Sequence, residues 1–385
     1  VPYDPGRERL PSAYAEIVRG LEAGWHRGAQ VYVSLGGEPV AELALGESRP
    51  GVPLTRDTLM LWLSSSKPVA AVAIMQLVER GLLGFDDLVT RHIPEFGVRG
   101  KEATTLRHVL THTCGFRWIE LAWETSNWDE IIAKICAGKQ ERDWTPGMKA
   151  GYHPGTSWYI LGELVRRLDG RHYSEYVRDE IFLPLGMRDS WIGMPADEFH
   201  AYGDRIALMP ETDKPDAPLQ RLAGERGATE CVPGANGYGP VHELGKFYEM
   251  LLAGGALPAS AVALASPQVR SANQPLLTPA SIELLTKPQR IGMYDQTFRH
   301  TMDWSLGLMT DSNRYGADTV PYGYGPYCSP RTFGHSGNQS SAAFADPEHG
   351  LVVATVFNGM PGEAAHQERM RAYHAALYRD LGLAQ

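Results

Sequence analysis

The segments of this chain that read as β-strands lie at its two ends, and helical periodicity fills the middle. "AQVYVSLGGEPVAELALGE" (29–47) reads as two short strands around a Gly-Gly-Glu-Pro turn. "DWSLGLMT" (303–310), "SSAAFADPEHG" (340–350) and "LVVATVFNG" (351–359) read as further strands. A helical pattern at 11–28, with Ala15, Ile17, Val18, Leu21 and Trp25 on one stripe, precedes the first pair, and another at 362–382 follows the last strand. Between them, 64–81, 104–112, 128–137, 155–169, 173–182, 241–254 and 279–286 carry helical spacing, separated by loops rich in Pro and Gly. This arrangement predicts an α/β unit assembled from residues 1–60 and 300–385. A mostly helical unit, 61–299, is inserted into it, with a site at their junction. No fixed-period repeat is present. The loops at 205–240 and 310–332 are long for plain connectors and rich in Pro, Gly and Tyr, as loops that shape binding sites are.

The chemistry concentrates at "LWLSSSKPVAAVAIMQLVERG" (61–81), where three serines and a lysine stand at the mouth of an apolar helix. If the helix starts near Ser64, Lys67 shares its face, and Ser65 and Ser66 point elsewhere. A serine hydroxyl becomes a nucleophile only when a neighbour takes its proton. A lysine does that only when burial or nearby positive charge lowers its pKa. The free N–H groups of a helix start, including that of Ser64, would suit an oxygen that turns negative during acyl transfer. The plainer reading of the same residues is an N-cap serine followed by a surface lysine.

Two distant segments weigh against the plain reading. Tyr152, in "DWTPGMKAGYHPGTSWYILGELVRRLDG" (143–170), sits on a Gly/Pro-bounded loop before a helix, where a phenol could carry a proton to a leaving group. His335-Ser336-Gly337 immediately precedes an apolar strand. His335 and Ser336 would offer donors to a substrate carboxylate or carbonyl, and Gly337 would allow close approach of a ligand. Taken singly, these are an ordinary half-buried tyrosine and a tight turn with a surface histidine.

Together, in order and spacing, these segments resemble the serine β-lactamase and penicillin-binding protein superfamily, to which the Ser-x-x-Lys signature belongs. The resemblance is to its class C β-lactamase-like branch, which holds D,D-peptidases, family VIII carboxylesterases and acyltransferases of secondary metabolism. It runs from about residue 12 to 380, through "SSSKPVAAVAIMQLVERGLLGFDD", "TTLRHVLTHTCGF" (104–116), "IFLPLGMRDSWIG" (181–193) and "GHSGNQSSAAFADPEHGLV". It implies an antiparallel sheet flanked by the terminal helices, with the helical insertion of the β-lactamase/transpeptidase fold. It also implies Ser64 as nucleophile, Lys67 as base or proton relay, and Tyr152 as the proton carrier of the second motif. By the same resemblance His335-Ser336-Gly337 stands in place of Lys-Thr-Gly, and the N–H groups of Ser64 and Asn338 would be the oxyanion donors. Whether Lys67 or Tyr152 is the general base stays open at this level. Two departures bear on substrate. The second motif is Tyr152-His153-Pro154 rather than Tyr-x-Asn, and a histidine replaces the third-motif lysine. Both disfavour efficient β-lactam hydrolysis and favour an ester or amide hydrolase or an acyl-transfer enzyme. The alternatives are a D,D-peptidase, a D-amino-acid peptidase or β-lactamase, or a penicillin-binding-like sensor that does not turn over.

Other constellations carry less. His108 and His112 share a helix face, but without Glu at 109 there is no His-Glu-x-x-His, so structural hydrogen bonding is expected of them and no metal. Asp86-Asp87 and Asp179-Glu180 read as solvated helix ends. Trp118, Trp123, Trp128 and Trp144 either line an acyl pocket or pack the helical unit. Gly-x-Ser-x-Gly and a phosphate loop are absent. A net charge of −9 argues against a nucleic-acid partner, and no apolar stretch is long enough for a membrane span. The four cysteines, Cys114, Cys136, Cys231 and Cys328, form no CxxC, and no apolar leader marks the first residues. The expectation is a soluble, cytoplasmic protein without cofactor, whose partners are a small-molecule acyl donor and an amine or alcohol acceptor.

Overall fold

The first and last strand runs pair directly. Ala29 stands opposite Phe357 and Val33 opposite Val353 in an antiparallel ladder, which joins the two ends of the chain at the centre of one sheet. The structure, a computed structural model, describes residues 5–257 and 275–384. Its main sheet has seven strands, in the order Val52–Pro53, Glu38–Arg49, Gly28–Leu35, Leu351–Phe357, Ser341–Asp346, Phe333–Gly337 and Met309–Thr310. Every neighbouring pair is antiparallel.

Period-two alternation sorts the side chains onto two covered faces. Val31, Val33, Phe344, Leu351 and Val353 share a core with Ala13, Ile17, Met370, Tyr373 and Leu377 of the terminal helices Pro11–Glu22 and Glu363–Asp380. On the opposite face, Tyr32, Ala343, Val352, Ala354 and Val356 share a core with Leu244, Phe247 and Tyr248 of helix Val241–Leu252. Leu351–Phe357 is buried at all its positions, which explains its unbroken apolar sequence. Helix Val241–Leu252 comes from the intervening segment. It lies so close to the sheet that a Cβ on Gly245 would stand 2.2 Å from the Tyr32 ring. Among the described residues no helix is long and apolar enough to cross a membrane.

Three local readings change. The strand expected at 303–310 shrinks to Met309–Thr310. Trp304 exchanges backbone hydrogen bonds with Arg290 instead, and Gly307, at φ 89°, turns the chain against Ala71. The helix expected from Ser64 is a 3₁₀ turn, Leu63–Ser66, followed by an α-helix, Lys67–Glu79, with Pro68 in its first turn. His335-Ser336-Gly337 belongs to a strand, and the turn follows it, with Gln339 at φ 49°.

That last change reassigns Gly337. A Cβ there would lie 2.2 Å from Ser341 Oγ and 2.6 Å from the Trp62 carbonyl oxygen, so the glycine admits the Ser64 turn rather than a ligand. Gly337→Ala should therefore push the strand off this turn and lower stability by about 1–3 kcal/mol. Urea melts check this; an unchanged midpoint with full activity would contradict the packing account.

Candidate active site

The turn that carries Ser64 is held from below. Met60–Leu61 pairs with Gly237–Gly239, and buried Trp62 donates from its backbone N–H to Gly237 O (2.8 Å) and from Nε1 to Gly239 O (3.0 Å). Leu63 then takes φ 49°, a left-handed conformation uncommon outside glycine. Such strain persists only where the surroundings over-determine it. They do so here: Ser66 Oγ donates to Leu63 O (2.6 Å) and accepts from Gly237 N (2.8 Å). Ser65 Oγ meets His335 O (3.0 Å) and Ser341 Oγ (2.9 Å), and Ser341 Oγ donates to Trp62 O (2.6 Å). Two of the three serines are thus consumed as buried fastenings, and half-buried Ser64 faces the cavity.

Lys67 has no exposed surface. Its Nζ lies 2.9 Å from Ser64 Oγ and 2.6 Å from Gly234 O, with the Tyr152 and Trp158 ring centroids 5.1 and 5.3 Å away. Gly234 brings its carbonyl this close because a side chain there would strike the Trp158 ring. Among the described residues no carboxylate pairs with this amine. Burial pulls its pKa well below the usual lysine range. A neutral amine keeps a lone pair for the Ser64 proton while an N–H holds Gly234.

Tyr152 Oη donates to Ser64 Oγ at 2.8 Å. Burial raises the phenol's pKa, against the lowering effect of the Ser64 hydrogen bond. The backbone around it is pinned at three consecutive N–H groups. Gly151 N donates to His112 O (3.0 Å), Tyr152 N to Asp295 Oδ1 (3.1 Å), and His153 N to His112 Nδ1 (3.0 Å). Thr297 Oγ1 donates to Tyr152 O at 3.0 Å. Asp295 is wholly buried, also accepts from Thr297 N and Phe298 N, and pairs with buried Arg290 at 3.1 Å. His153 turns away from the cavity. Its Nε2 accepts from Gly115 N and Phe116 N, both at 3.2 Å, and burial pushes its pKa down to about 3. Pro154 takes the place at the cavity wall.

These groups open into a cavity of about 540 Å³, lined at this end by Ser64, Tyr152, Pro154 and Ser336 and farther out by Phe298 and Tyr322, among others. Ser336 Oγ donates to Tyr322 O (3.0 Å). Asn338 lines the cavity too, and among the described residues neither its backbone N–H nor that of Ser64 has a protein acceptor. His335 does not line it. Its ring is buried against Trp304 and Tyr152, with Nδ1 2.8 Å from the Ser336 carbonyl. That bond assigns the proton to Nδ1 and leaves Nε2 buried and unprotonated. Burial, then Lys67, holds the imidazole's pKa well below its usual value, so no donor reaches a substrate carboxylate from here.

The remaining candidates resolve structurally. His108 Nδ1 accepts from Thr105 N in a helix cap, and His112 serves the Tyr152 loop. Asp86 pairs with Arg107, Asp87 with Arg91, Asp179 with Arg171, and Glu180 with Arg80 and Arg171. The tryptophans at 118, 123, 128 and 144 do not line the cavity; Trp128 bonds Glu163, and Trp144 packs on Gly115. Of the two long loops, 310–332 supplies Pro321 and Tyr322 to the wall, and 205–240 lies under Lys67 through Gly234. Sequence reasoning missed Arg290, Asp295, Thr297, Phe298 and Glu363. The one local signal was Asp295-Gln296-Thr297, an Asx-turn pattern in which the aspartate caps the N–H two residues on.

The family model described as Beta-lactamase matches residues 15–378. Penicillin-binding protein 4* of Bacillus subtilis is 31% identical over 145 residues, which cover 36% of this chain and 31% of that protein. Esterase/beta-lactamase LipL of Mycobacterium tuberculosis is 25% identical over 92% of this chain and 82% of its own length. Two solved structures superpose with a TM-score of 0.76. A penicillin-binding protein homologue from Caulobacter crescentus is 30% identical, covering 96% of this chain and 98% of that one. A family VIII carboxylesterase is 26% identical, covering 97% of each. The fold is the α/β arrangement of that group, an antiparallel sheet packed by N- and C-terminal helices, and the chain belongs to the beta-lactamase family.

Proposed function

We propose that this protein is a serine hydrolase that forms an acyl-enzyme on Ser64 from a small-molecule ester or amide and passes the acyl group to water or to an alcohol or amine. The observation that carries this reading is the convergence of Lys67 Nζ and Tyr152 Oη on Ser64 Oγ, at 2.9 and 2.8 Å. Lys67 is the base: burial lowers its pKa and raises that of Tyr152, so the amine accepts and the phenol donates. Ser64 Oγ bonds to the substrate carbonyl carbon as its proton moves to Lys67. The Ser64 and Asn338 N–H groups hold the resulting oxyanion. Tyr152 delivers a proton to the leaving group, and Lys67 restores it. Water or the acceptor then attacks the acyl carbon by the same route in reverse.

The family VIII and LipL relatives support an ester as the substrate. The cavity supports it too. Among the described residues no lysine, arginine or histidine lines it, so the carboxylate of a β-lactam or of a peptide end finds no cationic partner there.

Ser64→Ala should lower kcat/KM for a p-nitrophenyl ester by about 10³-fold or more and abolish labelling by a fluorophosphonate; retained turnover would discard the mechanism. In the wild type, kcat/KM should rise with pH as Lys67 loses its proton, well below 10.5, and then level. Tyr152→Phe should lower that plateau by about 10²–10³-fold without moving the rise. A rise that vanishes with the phenol would make Tyr152 the base.

The buried amine also links pH to stability. With its folded pKa depressed, Lys67 binds more protons in the unfolded chain between that pKa and about 10.4, so wild-type stability gains as pH climbs through this window. Lys67→Met lacks that gain. Its stability advantage over wild type at pH 7 should shrink steadily toward pH 10 in paired urea melts; a constant difference would mean the lysine is not buried neutral.

A further inference from the structure

The outer wall of the cavity has a chemistry that the acyl-transfer steps do not use. From Tyr152 the wall runs ring to ring, 4.9 Å between centroids to Phe298 and a further 5.7 Å to Tyr322. It ends at a carboxylate: Tyr322 Oη donates to Glu363 Oε1 at 2.7 Å and lies 3.2 Å from Asn338 Oδ1. Tyr322 is held there at φ 58°, with its N–H bonded to Gln367 Oε1 (3.0 Å) and its carbonyl to Ser336 Oγ (3.0 Å). Among the described residues Glu363 is the one acidic residue lining the cavity, and no basic side chain lines it. No ion pair engages Glu363 among the described residues. Asp213 adds a second acid nearby, 3.5 Å from where a Gly362 side chain would begin, while the buried Arg369 guanidinium behind Gln339 is turned to backbone carbonyls.

An acid at the first position of helix Glu363–Asp380 is also what the helix dipole favours. That accounts for an acid at this position, but not for its place on a cavity wall bonded to Tyr322, where among the described residues no basic side chain lines the same wall. A carboxylate flanked by aromatic faces attracts an ammonium through direct charge and through the ring quadrupoles, and it repels a second carboxylate.

We propose that the outer end of this cavity binds a cationic group of the substrate, so that the preferred substrates are small esters or amides bearing an ammonium remote from the reacting carbonyl, with Glu363 as the specificity-determining residue. This deepens the serine-hydrolase reading and rests on it. The ammonium meets Glu363 and the faces of Phe298 and Tyr322, which turns the acyl carbonyl toward Ser64.

The test uses three p-nitrophenyl esters of one chain length: hexanoate, 6-(trimethylammonio)hexanoate and the monoester of adipic acid. At low salt the wild type should favour the cationic ester over the neutral one by about tenfold in kcat/KM and disfavour the anionic one by a similar factor, the preference shrinking as salt screens the charge. Glu363→Gln should bring both ratios near unity, and Glu363→Lys should reverse their order. Each ratio is taken within one variant, so losses in folding cancel. Ratios that Glu363→Gln leaves unchanged, or a wild type without cationic preference, would overturn the proposal. A binding measurement separates its failure from that of the hydrolase reading. In Ser64→Ala, hexyltrimethylammonium should bind about tenfold more tightly than in Ser64→Ala/Glu363→Gln by calorimetry, whether or not any ester is turned over. Equal binding in the two would overturn the cation site alone, whereas ester turnover by Ser64→Ala would overturn the hydrolase reading alone.

Discussion

The site depends on one lysine amine buried without a counter-charge. An ammonium at Lys67 would sit among Tyr152, Trp158 and the Gly234 carbonyl, and among the described residues no carboxylate pairs with it. Desolvation of that kind is resolved by losing the proton. The neutral amine then has what a surface lysine lacks, a lone pair 2.9 Å from a hydroxyl, and in the proposed mechanism it takes that proton. The sequence around it follows from this requirement. Helix Lys67–Glu79 is buried along nearly its whole length, so it is apolar all round rather than amphipathic. Gly234 has no side chain because its carbonyl must reach the amine past Trp158.

The two partners of Ser64 are fixed by different means. Lys67 is held by packing within a helix start, and Tyr152 by polar bonds to a loop. Three successive N–H groups around the phenol are bonded to His112 and Asp295, and its carbonyl to Thr297. A loop without its own ladder must satisfy its backbone through such side chains, or the phenol would wander from the serine. This gives the buried histidines and the Asp295–Arg290 pair a role that needs no contact with substrate. They are positioning residues, and their neutrality or mutual pairing keeps stray charge away from the amine.

Much of this was legible in the chain, and what was not had physical reasons. The strand runs at both ends, the terminal helices and the Ser64/Lys67/Tyr152 trio all follow from periodicity, spacing and resemblance, because each is set by residues near in sequence or by a strong motif. The strand at 303–310 misled because Trp304 is claimed by the Arg290 backbone and the Asp303 carboxylate by Gly292 N, pairings across more than ten residues that no local pattern records. His335 misled because the same side chain suits a ligand donor and a buried ring; only the bond from Nδ1 to a backbone carbonyl decides between them. Gly337 was read as room for a ligand, and the room is taken by the Ser64 turn itself. Glu363 left no signal, since an acid opening a helix is ordinary and its place on the cavity wall is set by how the last helix packs.

The charges of the cavity separate along its length. At the reacting end the amine and the imidazole are held neutral and the phenol keeps its proton, all chiefly by burial. A neutral reacting end neither attracts nor repels a charged substrate, so it exerts no selection by charge. Glu363 stands beyond the aromatic wall, where it can bias which molecules enter without shifting the pKa values on which the chemistry relies. Were it beside Lys67, the same carboxylate would stabilise the ammonium and silence the base. The run of rings from Tyr152 through Phe298 to Tyr322 joins the two ends, and in the proposed mode of binding it is the surface along which an apolar chain links a charged group to the reacting carbonyl.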